Sequence, residues 1–591
     1  MIKKFFKSDV RFFLGALMTL IVLPFNFSVE DTSSIILNSV WLFFVIPLYY
    51  FYKHTFSNND QKYLKVNALL SVFFSIIIKI GRDLILYSAL SYSLSDILKD
   101  LFVVIGTSIL IFSVLTSLLK LLSIDLTQNS LNKQYSFKFF FILFFIIWLP
   151  ILFIFWPGIF SYDVPMQISE LVSKNLSTHH PIIHTLLLNI IVVIGDRFGN
   201  YNAGALLYTL IQMIICVGIN AYVCSEISKY KLNRVIYYSL IMYYLFFPLN
   251  MLFPFVATKD VLFSVFFFLF IFKLCDYYVL EPKELELKKA IELIILIILV
   301  GLFRNNAIYA LLATIPALLF MKKKKIRNNL VFIFLVGIAI TLISNQVLTT
   351  ITHAKPGMEG QMYSVPLQQL ACSYVRNPDS FTEKEKDEIF AYVPEKNLKN
   401  YNPRISDYVK SYFTLKNEGN SVINFLKLWG KIGVKNKKNY IDAFLMLTQG
   451  YWDPNLQFPD KYYKQPIIEL RSYNTILSTK FHDDSKIPKI RNKIIDSFYL
   501  NNWYKKIPII SFLFSPGLVV WILLILFIYT LYKKIKDFNF IFIFLIMYYG
   551  TLILGPVTLV RYIYPYMLVW PMLAIFILYK SNKKSINSLT K

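Results

Sequence analysis

Residues 178–198 read THHPIIHTLLLNIIVVIGDRF. The apolar part, 181–196, is short for a membrane span and is opened by Pro181 behind a pair of histidines. Whether it crosses a bilayer decides the side on which everything after it lies. A hydrocarbon core of ~30 Å needs about 17–25 apolar residues as a helix. Stretches of that kind recur at 12–28, 36–54, 64–84, 99–119, 137–156, 201–226, 234–254, 260–280, 288–303, 306–320, 328–349, 509–532, 538–556 and 562–580.

Composition points the same way. Of 591 residues 56% are hydrophobic, 17% aromatic and only 16% charged, against about 25% charged in an ordinary soluble domain. Too little polar surface remains to cover a globule, which excludes a soluble enzyme and a disordered chain. The expected fold is an all-α polytopic membrane protein. The basic start and uncleavable look of MIKKFFKSDVRFFLGALMTLIVLPF make it a retained first span, not a signal peptide. The four cysteines, Cys216, Cys224, Cys275 and Cys372, offer neither a disulfide framework nor a CxxC metal site.

The lysines and arginines settle the role of 181–196. Basic loops occur at Lys229/Lys231/Arg234, Lys283/Lys288/Lys289, Lys322 to Lys325 with Arg327, Lys533/Lys534/Lys536 and Lys580/Lys583/Lys584. If 181–196 lies along the outer face, all of them join Lys3, Lys4 and Lys7 in the cytoplasm; if it crosses, all go outside, against the positive-inside rule. It therefore reads as a juxtamembrane or re-entrant helix, leaving about fourteen spans with both termini cytoplasmic. Much of the net charge of +26 is then topogenic, and nucleic acid is not an expected partner. Basic clusters also flank 288–320, so the chain crosses an even number of times there, as two short spans meeting at Arg304-Asn305-Asn306. The parts are four N-terminal spans (1–136), a membrane module (137–350) with an external loop at 157–200, a mostly helical external domain (351–508), and three C-terminal spans with a basic tail (509–591). Within the external domain, Ser380 and Glu383 have capping-box spacing, SVINFLKLWGKIGVKNKKNYIDAFLMLTQ reads as an amphipathic helical run, and 394–408 and 452–466 read as loops.

This topology gathers an unusual polar set at the outer edge. Asp163 and Gln167 follow the Trp156-Pro157-Gly158 turn, and His179, His180 and His184 follow in the same loop. Lys259 and Asp260 open one span, Arg304 and Asn305 separate the two short ones, and Arg561 and Tyr562 precede the last. Asp163 suits a general base, with an N-cap or a solvated acid as the bland alternative. His180 and His184 have helical zinc-site spacing but lack the following Glu of a zinc hydrolase, so hydrogen bonding to a phosphate or sugar is the preferred role. Lys259, Arg304 and Arg561 suit a phosphate, with an interfacial charge pair or snorkelling as the bland readings. Asp260 could cap its span or serve as a second carboxylate. No Walker A, GxGxxG or GxSxG element stands in a suitable context, so no nucleotide or other cofactor is expected; a divalent metal is not supported.

The order of these elements resembles the C-type (GT-C) membrane glycosyltransferases: a span, an external loop with an essential Asp, a juxtamembrane helix opened by His-Pro, then further spans. WPGIFSYD, THHPIIHT, ATKD, FRNN, SVPLQQLA (364–371), QGYWDP (449–454) and VRYIYP are similar to an uncharacterised Gram-positive bacterial branch, over roughly 137–580. The resemblance implies a multi-pass enzyme of the bacterial plasma membrane. It implies a polyprenyl-phosphate-linked sugar donor, an envelope glycan, lipid or protein acceptor, and Asp163 as the base. The other candidates would bind substrate: His179, His180, His184, Gln167, Lys259, Asp260, Arg304, Asn305, Arg561 and Tyr562. A flippase or transporter of lipid-linked glycan, a glycan polymerase or ligase, and a non-enzymatic scaffold are the alternatives.

Overall fold

The computed structural model describes residues 9–27, 43–57, 64–90, 93–122, 133–230, 232–280, 286–415, 421–454, 468–472, 484–499, 504 and 508–589. The segment 455–466 of the expected loop, and 28–42 with the start of the expected span 36–54, lie outside them. Among the described residues the fold is helical, with only isolated β-bridges. Seven helices of the described residues are long and apolar enough to cross a membrane, or eight if the bent pair Arg234–Phe246 and Pro248–Phe255 (48°) counts as one span. The protein is a multi-pass membrane protein. Several expected spans fall short of that standard for physical reasons. Val10–Phe25, Asn305–Leu319 and Pro516–Tyr532 are apolar but short. The helix Leu64–Tyr87 is long enough but carries Lys65, Lys79, Arg82 and Asp83.

The chain divides into two compact units. One combines 1–124 with 363–464 and 508–518. Its N-terminal helices pack around Phe12, Ala16, Leu20, Val45 and Tyr52, and Asn67 Nδ2 donates to Thr116 Oγ1 at 3.1 Å. Lys79 bridges Asp83 and Asp100, each at 2.5 Å. Residues 364–452 build a second core around Leu367, Leu370, Phe413, Phe425 and Ile432. This core is tied to the helix Leu64–Tyr87: Gln449 Nε2 donates to the Gly81 carbonyl at 2.7 Å and to Asp453 Oδ2 at 2.6 Å.

Local chemistry sharpens three details here. The capping box is Thr382 with Glu385, not Ser380 with Glu383; Pro378–Ser380 is a separate 3-10 turn, which moves the helix start two residues on. The amphipathic run is two helices, Val422–Lys435 and Lys437–Trp452, because Asn436 leaves the helical region at φ −119° and ψ 38°. Within 394–408 the chain makes the short helix Glu395–Lys399 instead of a plain loop.

The other unit comprises 125–362, 465–507 and 519–591. Its two interior spans are Lys259–Leu280 and Val560–Asn582, each 78% buried, against 33% for Phe137–Ile154 and for Lys324–Thr352. Phe267 meets Tyr566 with ring centroids 6.2 Å apart, and the Tyr244 hydroxyl donates to the Leu568 carbonyl at 2.7 Å. The helices Leu287–Phe303 and Asn305–Leu319 break at Arg304, whose backbone is extended (φ −151°, ψ 109°). Residues 182–198 form a single 17-residue helix behind Pro181.

Candidate functional site: an ion-pair cluster

The two interior spans begin at the same place. Lys259 and Asp260 open one and Arg561 the other. The loop carrying Asp163 is brought to them by a parallel bridge in which Ile159 N donates to Phe255 O (2.9 Å) and Ala257 N to Ile159 O (2.8 Å). Gly158 makes that approach possible. At φ 142° it sits where L side chains rarely go, and a Cβ there would stand 2.1 Å from Thr209 Oγ1. On the same loop, Phe160 N donates to Ser472 Oγ (3.1 Å) and Glu469 N to the Tyr162 hydroxyl (2.7 Å).

Asp163 stands at the N-cap position of the helix Val164–Val172 but makes no side-chain cap bond. Its carboxylate turns instead to three basic groups. Lys259 Nζ donates to Oδ2, Arg561 reaches Oδ1 and Oδ2 at 3.3 and 3.4 Å, and His180 Nδ1 lies 3.8 Å away. Lys259 also donates to His180 Nδ1 at 3.2 Å. Asp260 answers the arginines: Arg304 donates to its Oδ1, and Arg561 Nη1 lies 3.5 Å from its Oδ2. Lys259 and Asp260 are therefore not a pair with each other, and Arg304 and Arg561 do not snorkel; both are buried. Two tyrosines complete the wall. Arg561 lies over Tyr162 (4.2 Å) and Tyr562 (5.0 Å), and Arg304 over Tyr562 (4.3 Å).

Burial raises the pKa of the Asp163 carboxyl, but the charges of Arg561 and Lys259 outweigh it and hold it well below the usual carboxylate range. Burial and the Lys259 charge push His180 down to about 2, so its imidazole is neutral. Because Nδ1 faces the ammonium, the ring proton of His180 sits on Nε2.

The remaining candidates separate cleanly. His184 is fully enclosed, with Gln167 Oε1 on Nδ1 at 3.1 Å and the Tyr208 hydroxyl on Nε2 at 2.9 Å. Gln167 Nε2 donates to Thr185 Oγ1 (2.7 Å). The Tyr208 hydroxyl donates to Gln212 (3.0 Å), whose Nε2 donates to the carbonyls of Pro254 and Val256 at 3.0 and 2.9 Å. This network supports the backbone at 254–256 that leads to Lys259, and both His184 ring nitrogens are occupied within the protein. His179 stacks edge-on to His180 at 4.5 Å and lies beside Gln361. Asn305 is exposed at the first turn of its helix and takes no part in the ion pairs. Tyr162 is the participant that sequence reasoning missed. Its place beside Asp163 in WPGIFSYD was the available signal.

A family model described as a family of unknown function (DUF6020) matches residues 172–590. The chain belongs to the DUF6020 family. The matched stretch holds Lys259, Asp260, Arg304 and Arg561 and begins after Asp163. No curated protein and no solved structure matches this DUF6020 chain.

Proposed function

We propose that this protein is a membrane glycosyltransferase that moves a sugar from a polyprenyl-phosphate-linked donor to an envelope acceptor on the outer face of a bacterial plasma membrane. The observation that carries the reading is the meeting of Asp163, Lys259, Arg304 and Arg561 in one cluster at the starts of the two interior spans. Three cations around two carboxylates favour an anion over a metal ion. The motif order resembling C-type glycosyltransferases supports the choice of reaction.

In that reading the acceptor hydroxyl attacks the anomeric carbon. Its O–C bond forms as the C–O bond to phosphate breaks. Asp163 takes the hydroxyl proton, and the phosphate leaves with the bonding electrons, its growing charge met by Lys259, Arg561 and Arg304. The proposed topology has about fourteen spans, short ones included, with both termini cytoplasmic and 351–508 outside.

The test is transfer by the reconstituted protein from polyprenyl-phosphate sugars, beside a comparison of envelope glycans in wild-type and deletion strains. Loss of one sugar branch, and loss of transfer in Asp163→Asn, support the enzyme. Full transfer by Asp163→Asn removes the base assignment, and a precursor accumulating on the cytoplasmic side favours a flippase.

A further inference from the structure

We propose that Asp163 is an internal stand-in for a phosphate: an incoming phosphate-bearing ligand takes the place of its carboxylate on Lys259 and Arg561, and the displaced carboxylate swings free. Only the use of the freed carboxylate as a base rests on the transferase reading; the exchange does not.

Exposure within the cluster is graded. The Asp163 side chain is 25% exposed, while Lys259 is at 13%, Arg304 at 9%, Arg561 at 6% and Asp260 at 1%. A ligand arriving from solvent therefore meets Asp163 first and the cations behind it. Apart from its bond from Lys259, the carboxylate is held loosely. It has no backbone cap bond, and its two contacts to Arg561, at 3.3 and 3.4 Å, lie beyond the usual 2.7–2.9 Å of charge-assisted bonds.

Asp260, by contrast, is sealed between Arg304 and Arg561 and would keep both guanidinium groups in place after Asp163 leaves. Three cations facing two carboxylates leave one positive charge in excess. Exchange for a phosphate monoanion keeps that balance, and a dianion neutralises it. A phosphate offers more acceptor oxygens than a carboxylate, and the cluster holds a buried donor without a hydrogen-bond partner among the described residues, Arg561 Nε. The resting pairing also accounts for how a carboxylate meant to accept a proton is stored beside three basic groups. It is held there until the ligand it imitates arrives.

The probe is dodecyl phosphate, with inorganic pyrophosphate as a soluble comparison, binding to the full-length protein in a phosphate-free detergent. Removing the internal competitor should tighten binding. We expect Asp163→Asn to bind dodecyl phosphate about tenfold more tightly than wild type, and Arg561→Gln about tenfold more weakly. Preference for dodecyl phosphate over pyrophosphate identifies a lipid-borne phosphate; the reverse identifies a free one. Equal or weaker binding by Asp163→Asn overturns the exchange. Carbodiimide labelling of the wild type gives a second measurement that needs no stable variant. Dodecyl phosphate should raise labelling at Asp163 several-fold, and unchanged or reduced labelling overturns the proposal. Tighter binding by Asp163→Asn with no transfer by the wild type keeps the exchange and removes the transferase. Transfer without tighter binding does the opposite.

Discussion

Asp260 and Arg304 form an ion pair closed off from solvent, between the first turn of one interior span and the break between two shorter helices. The same carboxylate also faces Arg561. Removing one partner of a buried pair leaves the other charge uncompensated, which costs about 3–5 kcal/mol. Asp260→Asn should therefore lower the melting temperature in detergent far more than Asp163→Asn, whose carboxylate is partly exposed. Equal losses in the two variants would contradict this division of labour.

Arg561 lies against the Tyr162 and Tyr562 rings and reaches two carboxylates at once. A lysine keeps the charge but loses the planar fork and much of the stacking. Arg561→Lys should keep the fold and lose about 1–2 kcal/mol of phosphate binding, from the cation–π and bidentate contributions together. Calorimetry with dodecyl phosphate reads this directly.

Tyr208 links His184 to Gln212 and, through it, to the backbone at 254 and 256. Tyr208→Phe leaves a buried ring nitrogen and an amide oxygen without partners, a cost of about 1–3 kcal/mol. Thermal melts of the purified variant check the size. Rescue by raised pH is not expected, because no charge is lost.

Acid should destabilise the protein through its buried histidines. Burial and Lys259 lower His180 to about 2 and His184 to about 3, against about 6.5 in an unfolded chain. Below pH ~6.5 the unfolded state binds more protons than the folded one, so stability falls as pH drops from there toward the folded values. His180 faces Lys259, Asp163, His179 and His184, and the two charged neighbours oppose each other. Asp163, held low, contributes stability that is complete above about pH 4 and is lost only as pH falls through its folded value. Melting temperature should decline from pH 7 to pH 5, and His180→Asn should flatten that decline. A profile unchanged by the substitution would refute the assignment.

Gly81 marks a separate test in the other unit. A Cβ there would stand 2.1 Å from Asp453 Oδ2, whose residue is fully buried. Gly81→Val should destabilise the seat of residues 449–453 on the helix Leu64–Tyr87. In limited proteolysis, cleavage within 364–452 should rise.

Charge was the most legible part of the sequence. Counting lysines along the loops grouped Asp163, Lys259, Arg304 and Arg561, and the structure joins these four through shared carboxylates. The break at Arg304 was readable because basic residues flank a segment too long for one crossing. What stayed hidden depends on partners distant in the chain. Tyr162 looks like any interfacial tyrosine until Arg561 is placed on its ring. His184 and Gln167 look like ligands until Tyr208 and Gln212 close around them. The capping box slipped because Ser380 and Thr382 both offer a hydroxyl three residues before a glutamate, and only the 3-10 turn at 378–380 selects between them.

The distance along the chain between Asp163 and Arg561 has a consequence during synthesis. They are 398 residues apart, whereas Lys259 follows Asp163 by 96. At about 5–20 residues per second, the ribosome needs roughly 20–80 s to go from the first to the last of them. Once Lys259 is made, about a quarter of the way through that interval, Asp163 has it for company, while Asp260 and Arg304 wait for the final span to finish their surroundings. A nascent chain stalled before residue 560 would carry Asp163 and Asp260 without the arginine that joins them.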